Sequence, residues 1–445
     1  MMPASDDPFP GSPRAGLPAD TRGGAPERSA RGGPPVATRP RLREAPHGSV
    51  KEEMTSRRTS VAGAAAGLHR APRVRPARPS DLDALLELEN RCFETDRLSR
   101  RSFRHMLTRA KARTLVAERD HALLGYALVL FHAGTCMARL YSLAVDPHHR
   151  GEGLGRRLLE AAEEASREHG VIAMRLEIRR DNRRALALYQ ASGYRQFDVH
   201  ADYYEDHEDA LRLEKTLVGD RPEGLRRVPY YEQTLEFTCG PAALIMAMKA
   251  LRPSLRPDRK LELRLWREAT TIFMTAGHGG CGPYGLALAA YHRGFDVEVA
   301  VKDEAALFVD SVRSPEKKEV IALVHEDLLD EIRSSEIRLR YGSFSVADLA
   351  AAVGGGGVPL VLISSYRIYG EKAPHWVVVT GCDDNLIYVH DPYVDQDEGH
   401  TRTDCTNMPI LKEEFEGMSR YGKTGQRAVV ILRNPEPARR RRRKG

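Results

Sequence analysis

Cys239 opens an apolar stretch, Cys239-Gly-Pro-Ala-Ala-Leu-Ile-Met-Ala-Met, and Gln233 stands six residues before it. A helix starting at this point would hold the thiol against unpaired N–H groups, which favours the thiolate. The Gln233 amide and the Cys239 backbone N–H could both donate to an oxyanion. Farther along, His375 opens the run His375-Trp-Val-Val-Val, and Asp391 ends Tyr388-Val-His-Asp. Two adjacent antiparallel strands would set Asp391 beside His375, so that the carboxylate orients an imidazole paired with the sulfur. His390 would point to the opposite strand face and is set aside as a base. Cys281, in Gly-Gly-Cys-Gly-Pro, reads as part of a turn near the cleft. Cys382 and Cys405 are given no role.

A second chemistry lies in Leu140-Tyr-Ser-Leu-Ala-Val-Asp-Pro-His-His-Arg-Gly-Glu-Gly-Leu-Gly-Arg156. A strand runs through a turn and a Gly-rich loop into a helix. Helix N-termini bind phosphate, and Gly151, Gly153 and Gly155 would let the backbone close around a diphosphate. Arg150 and Arg156 could add charge-assisted contacts. The spacing is neither that of a dinucleotide-binding loop nor that of a Walker loop. His148 and His149 read as exposed turn residues.

The loop resembles the Arg-x-x-Gly-x-Gly signature of the GNAT acetyltransferases, with Arg150, Gly153 and Gly155 in the defining places. Leu176-Glu-Ile-Arg-Arg-Asp-Asn182 and Ala185-Leu-Ala-Leu-Tyr-Gln-Ala-Ser-Gly-Tyr194 resemble that family's second signature, in the form found in bacterial ribosomal-protein alanine N-acetyltransferases. Tyr203-Tyr-Glu-Asp-His-Glu-Asp-Ala210 is similar to the same subgroup. The resemblance spans about residues 73–217. It implies acetyl-CoA as co-substrate, bound partly by the backbone N–H groups of Leu143 and Val145 where two strands splay. It further implies Glu177 as general base, Tyr189 as the acid that protonates the CoA thiolate, and Asn182 as a cofactor contact.

The second cluster resembles papain-like cysteine peptidases, and most of all the bacteriocin-processing double-glycine leader peptidases. Their pattern is Gln, then Asp-Cys-Gly, then His and Asp-Pro; here Thr238 stands where the aspartate would be. The resemblance spans about residues 227–434, with a charged insertion near 303–340.

The elements that must carry these groups follow from periodicity. Ser80 would cap a helix over Leu82-Asp-Ala-Leu-Leu-Glu-Leu. Strands are expected at 114–118, 123–130, 138–145, 174–178 and 210–217, and helices at 153–169 and 183–192, the last ended by Gly193. In the second unit, helices are expected at 240–251, 286–293 and over much of 304–336. Strands are expected at 297–301, 359–364, 376–380, 386–390 and 428–432. The fold class is therefore α/β (α+β): a GNAT mixed-sheet domain at 73–217, a polar linker at 218–226, and a papain-like domain at 227–434.

Residues 1–72 are rich in Gly, Pro, Arg and Ala and read as a disordered extension, within which Met54 could be the true start. The net charge of +6 misleads about the body. Arg439 to Lys444 alone carry +6, and residues 1–72 carry eleven Lys/Arg against seven Asp/Glu, which leaves −4 for the middle. The body is thus no obvious polyanion binder, while the basic tail at 435–445 could make a weak ribosome or RNA contact. Six unpaired-looking cysteines fit a reducing cytoplasm. No metal site, membrane span or secretory signal is expected. The partners implied are acetyl-CoA and a peptide or protein amine. Two rival readings stand beside the bifunctional enzyme: an acetyltransferase carrying a non-catalytic peptide-binding module, and a ribosome- or RNA-associated binding protein.

Overall fold

The computed structural model describes residues 71–94, 97–204, 206–219, 224–270, 273–274, 277–309, 312, 314–396 and 400–435. The expected disordered stretch up to residue 70 and the basic run Arg439–Lys444 lie outside the described residues.

The first half runs β1 Arg73–Pro76, α1 Leu82–Cys92, α2 Arg100–Thr108, β2 Ala112–Arg119, β3 Ala122–Phe131, β4 Met137–Val145, α3 Leu154–Glu168, β5 Ala173–Arg179, α4 Arg183–Ala191, β6 Arg195–His200 and β7 Ala210–Thr216. The strands form one sheet in the order β1-β2-β3-β4-β5-β7-β6, in which β4 and β5 are the parallel pair. The near-continuous apolar run of β3 reflects a strand covered on both faces. Tyr126 and Leu128 pack with Leu85, Leu88 and Phe103 of α1 and α2, while Ala127 and Val129 pack with Leu154, Leu158 and Leu159 of α3.

The second half runs α5 Cys239–Leu251, α6 Arg259–Ala269, β8 Phe273–Met274, β9 Gly277–His278, α7 Pro283–Tyr291, β10 Asp296–Val301, α8 Pro315–Ser334, β11 Arg338–Tyr341, α9 Val346–Gly354, β12 Val358–Ser364, α10 Tyr366–Tyr369, β13 Pro374–Cys382, β14 Leu386–His390, α11 Arg402–Cys405, β15 Met408–Leu411, α12 Lys412–Met418 and β16 Ala428–Arg433. Its main sheet has the order β11-β10-β16-β12-β13-β14-β15. Helix α5 is apolar all round and buried from Gly240 to Met248, as such a helix must be. It lies against β12 and β13, with α7 beside it. A Cβ on Gly285 would come within 2.6 Å of the Ala269 Cα, so glycine is what lets α7 cross α6 so closely.

Two expectations are corrected. Helix α1 begins at Leu82 after a 3-10 turn at Pro79–Asp81, and its N-cap is Asp81, not Ser80. The Asp81 carboxylate is taken by the Arg78 N–H at 2.6 Å and by Arg75 at 2.7 Å. The charged stretch expected to be helical from about 304 becomes helix only at Pro315, where the Ser314 side chain accepts from the Lys317 N–H.

The two halves meet through polar groups. Asp404 accepts from Arg139 at 2.8 Å and lies 3.0 Å from His132 Nε2. Arg175 donates to the carbonyls of Thr403 at 2.8 Å, Asn407 at 3.0 Å and Thr406. The Cys136 N–H reaches the Pro409 carbonyl of β15 at 2.8 Å. Asp404 and Arg139 are almost fully buried. Burial alone would raise Asp404, but Arg139, His132 and His400 hold it well below the usual carboxylate range. No helix among the described residues is long and apolar enough to cross a membrane.

Candidate functional site

Strands β4 and β5 pair at Met137–Ala173, Ala138–Met174 and Arg139–Arg175, and no further. Beyond that point they diverge, and the ends of both strands border the gap. The Asp146 N–H donates to Leu124 on β3, so strand alternation turns the N–H groups of Leu143 and Val145 away from β3, toward the gap. The Val145 carbonyl obeys the same alternation: it is met by Arg150 Nε at 3.4 Å and Cys92 Sγ at 3.5 Å.

A cavity of about 310 Å³ opens here, lined by Leu143, Val145, Arg150, Gly151, Gly153, Gly155, Arg156, Asn182 and Tyr189. All eight residues that sequence marks as cofactor contacts thus border one space. Gly151 and Gly153 have φ of 92° and 78°, a left-handed region that favours glycine, and a Cβ on either would meet no atom. The loop is therefore shaped by backbone conformation, with room left over it for a ligand. Gly153 caps α3, and the first intrahelical bond runs from the Arg157 N–H to Gly153 at 3.1 Å, so the N–H groups of 154–156 lack helical partners. With Arg150, Arg156 and Arg184 on the rim, the donor set suits a diphosphate. Asn182 spends its side-chain oxygen on the Ala185 N–H, capping α4.

Tyr189 is buried on the cavity side of α4, and burial pushes its phenol upward, so it stays protonated. Glu177 lies on the face of β5 that carries Arg175 and Arg179, opposite the apolar Leu176 and Ile178, and it is buried rather than solvated. Its carboxylate accepts from the Thr401 hydroxyl at 3.0 Å. Sequence reasoning missed Cys92 and Phe93 as cavity walls. Cys92 ends α1 and Phe93 follows it, and no local motif marks them.

In the second half, His375 Nε2 lies 2.6 Å from Asp391 Oδ1, and the Cys239 thiol is near enough to the imidazole to help raise it. The β12–β13 register places His375 opposite Ile363, and Asp391 follows directly on the last residue of β14. Asp391 is fully buried and also accepts from the Tyr369 hydroxyl and the Tyr393 N–H, both at 2.8 Å. Cys239 is half-buried at the start of α5. Gly240 beside it is needed for closeness, since a Cβ there would lie 3.1 Å from the Cys281 Cβ. His390 turns away, bound to the Val228 carbonyl and the Asn407 N–H at 2.9 Å each, and burial lowers it to about 4.

Gln233 sits in the loop before Cys239, but its Nε2 donates to the carbonyls of Leu235 at 2.9 Å and Glu236 at 3.2 Å. Glu262, which sequence reasoning did not single out, is fully buried beneath this loop. It accepts from the Thr234 N–H and hydroxyl at 2.8 Å each, from Tyr231 at 2.9 Å and from Thr238 at 2.5 Å. Thr238 therefore hands its hydroxyl to a carboxylate from α6, where the resemblance expects a carboxylate in the loop itself.

Burial would lower His375, yet the charge and hydrogen bond of Asp391 and the Cys239 thiol lift it to about 10. Its folded value lies above that of free imidazole, about 6.5. The stability it contributes is thus complete below about 6.5 and is lost as pH rises through about 10. Between pH 7 and 10 the melting temperature of the wild type should fall more steeply than that of His375→Gln, measured by scanning fluorimetry. Parallel slopes would refute the imidazolium.

Residues 82–194 match the model of the Acetyltransferase (GNAT) family, and residues 228–433 match that of a Peptidase_C39 like family. A Bacillus subtilis protein, provisionally named a ribosomal protein bS18-alanine N-acetyltransferase, is 33% identical over 146 residues, which are 32% of this chain and 95% of the relative. The Salmonella typhimurium ribosomal protein bS18-alanine N-acetyltransferase is 39% identical over 77 residues, 17% of this chain and 52% of the relative, so the match spans about half of that protein. The crystal structure of the Escherichia coli ribosomal-protein-S18-alanine N-acetyltransferase aligns with 34% of this chain and 98% of its own, at 24% identity and a TM-score of 0.32. Through its first sheet and the loop at 150–156, the chain belongs to the GNAT acetyltransferase family, with acetyl-CoA as its acyl donor.

Proposed function

We propose that residues 73–217 acetylate the α-amine of a peptide or protein, and that residues 227–434, beyond a linker at 218–226, form a cysteine peptidase-like domain that engages a peptide. The observation that supports the first half most is the parting of β4 from β5 beside a cavity bordered by Gly151, Gly153 and Tyr189. When bound, acetyl-CoA supplies the activated acetyl group. The N–H groups of Leu143 and Val145 hold its amide and carbonyl oxygens, and the one nearer the carbonyl stabilises developing negative charge. Glu177 takes the proton from the acceptor ammonium, through water, and Tyr189 returns one to the departing sulfur. The names of the bacterial relatives point to the N-terminal alanine of a ribosomal protein as the class of acceptor. The six free cysteines agree with a reducing cytoplasm.

In the second half, the Cys239 thiolate attacks a peptide carbonyl, and His375 gives its proton to the leaving amine. Water then opens the resulting thioester, releasing the acid and restoring thiol and imidazole. The new N-terminus is an acceptor for the first domain. The Gln233 amide must turn away from Leu235 and Glu236 to serve as an oxyanion donor. Its present engagement favours a second reading, in which this domain holds a peptide without cutting it.

A peptide library incubated with acetyl-CoA and read by mass spectrometry tests both halves. The wild type should add one acetyl group at N-termini, and Glu177→Gln should be slower by roughly a hundredfold, the usual share of a general base. Acetylation confined to lysine side chains would defeat the α-amine assignment. Cleaved but unacetylated products would break the link between the halves.

A further inference from the structure

The acetyltransferase base is held by a residue of the other half. Thr401 precedes α11, and its hydroxyl lies 3.0 Å from Glu177 Oε1, across 224 positions of sequence. The same hydroxyl accepts from Arg139 Nη1 at 2.9 Å. It has one proton to give, and the two oxygens within reach are Glu177 at 3.0 Å and Asp404 Oδ2 at 3.2 Å. Asp404 Oδ2 already accepts from the Thr401 backbone N–H at 2.7 Å and from Arg139 at 2.8 Å. The shorter contact and the lesser need of Asp404 both direct the proton to Glu177. The chain of donors therefore runs from the guanidinium of Arg139, through the hydroxyl, to the carboxylate. An acceptor oxygen polarised by a cation makes its own O–H a stronger donor.

The mount for this hydroxyl is rigid. Thr401 and Asp404 bond each other reciprocally at the start of α11, and Asp404 is fully buried under Arg139. Arg175, two residues from Glu177 on the same strand face, grips the carbonyls at the end of α11. Both sides of the contact are thus tied to the same short segment, which keeps the Thr401 hydroxyl beside the Glu177 carboxylate.

We propose that Thr401 is a positioning residue for acetyl transfer, and that the peptidase-like half completes the acetyltransferase site by fixing the Glu177 carboxylate. This rests on the reading of Glu177 as general base. Thr401 touches neither acetyl-CoA nor acceptor; it acts through Glu177 alone. Loss of its hydroxyl leaves the cavity at 150–156 intact and frees the carboxylate to leave the geometry in which it meets the amine.

The test uses the full chain with a peptide acceptor. Thr401→Val, which keeps the shape and removes the donor, should lower kcat about tenfold, the scale of one hydrogen bond to a charged group. The KM for acetyl-CoA should be unchanged, and Thr401→Ser, which restores the donor, should recover most of the rate. A general packing role would not distinguish serine from valine in this way. Should the valine variant fail to bind acetyl-CoA, Thr401→Ala, which only removes atoms, takes its place in the same comparison. A donor-free variant that transfers acetyl at the wild-type rate or faster overturns the proposal, as does a serine variant no better than the donor-free one. Glu177→Gln at full rate would instead remove the base assignment. A dead Glu177→Gln beside a full-speed Thr401→Val removes only the present proposal.

Discussion

Tyr189→Phe should slow acetyl transfer by about two to three orders of magnitude, the range of a lost general acid, while acetyl-CoA binds within about twofold of the wild type. The substitution removes one oxygen from a ring that is 2% exposed and packs edge-on to Tyr194, with centroids 5.6 Å apart. The ring itself and the cavity wall remain. What is lost is a proton that burial keeps on the phenol, at the cavity wall where the proposed mechanism has a thiolate leave. Because the missing interaction arises only in the transition state, kcat should fall and KM should hardly move. Steady-state kinetics with a peptide acceptor, beside calorimetry with acetyl-CoA, separates the two. A wild-type kcat in the phenylalanine enzyme would take the acid role from Tyr189.

At neutral pH a small alkylating agent should label Cys239 at least about a hundredfold faster than any other cysteine of the chain, and Cys239→Ala should abolish the fast phase. The other five thiols are disfavoured by their surroundings. Burial raises Cys92 to about 12 and Cys382 to about 11, and it raises Cys136, Cys281 and Cys405 as well. Cys239 alone interacts with an imidazole lifted to about 10, and it stands at a helix N-terminus. Asp391→Asn should slow the labelling, because the imidazole loses the charge that keeps it protonated. Peptide mapping after a short exposure reads the outcome. Equal labelling of Cys239 and Cys382 would show that no activated sulfur exists.

Both candidate clusters were legible because each is carried by short stretches in which spacing encodes geometry. The loop at 150–156 must follow a strand and start a helix, and a cysteine at the head of an apolar helix must sit near that helix's N–H groups. The pairing of His375 with Asp391 needed only the assumption that consecutive strands are antiparallel neighbours, as β13 and β14 are. Several shorter elements were missed. In α2 only Phe103 is buried, and β6 is a largely exposed edge strand. Helix α6 did carry a readable signal in Asp258, whose side chain caps the Leu261 N–H. Contacts distant in sequence left no trace. Glu262 lies 24 positions from Thr238, and Thr401 lies 224 from Glu177, and neither pair shares a motif. Thr401 and Asp404 read as polar residues in a polar stretch, and only the folded chain shows that they sit at a junction, Asp404 buried and Thr401 half-buried.

The Arg139–Asp404 bond makes the fusion hard to undo. Separated at the linker, one fragment would carry an unsheltered guanidinium and the other a carboxylate shaped for a cation it no longer meets. Gene fission would thus yield two proteins, each presenting a charged face shaped for the other. Once such a junction had formed, inheritance as a single polypeptide became the easier course.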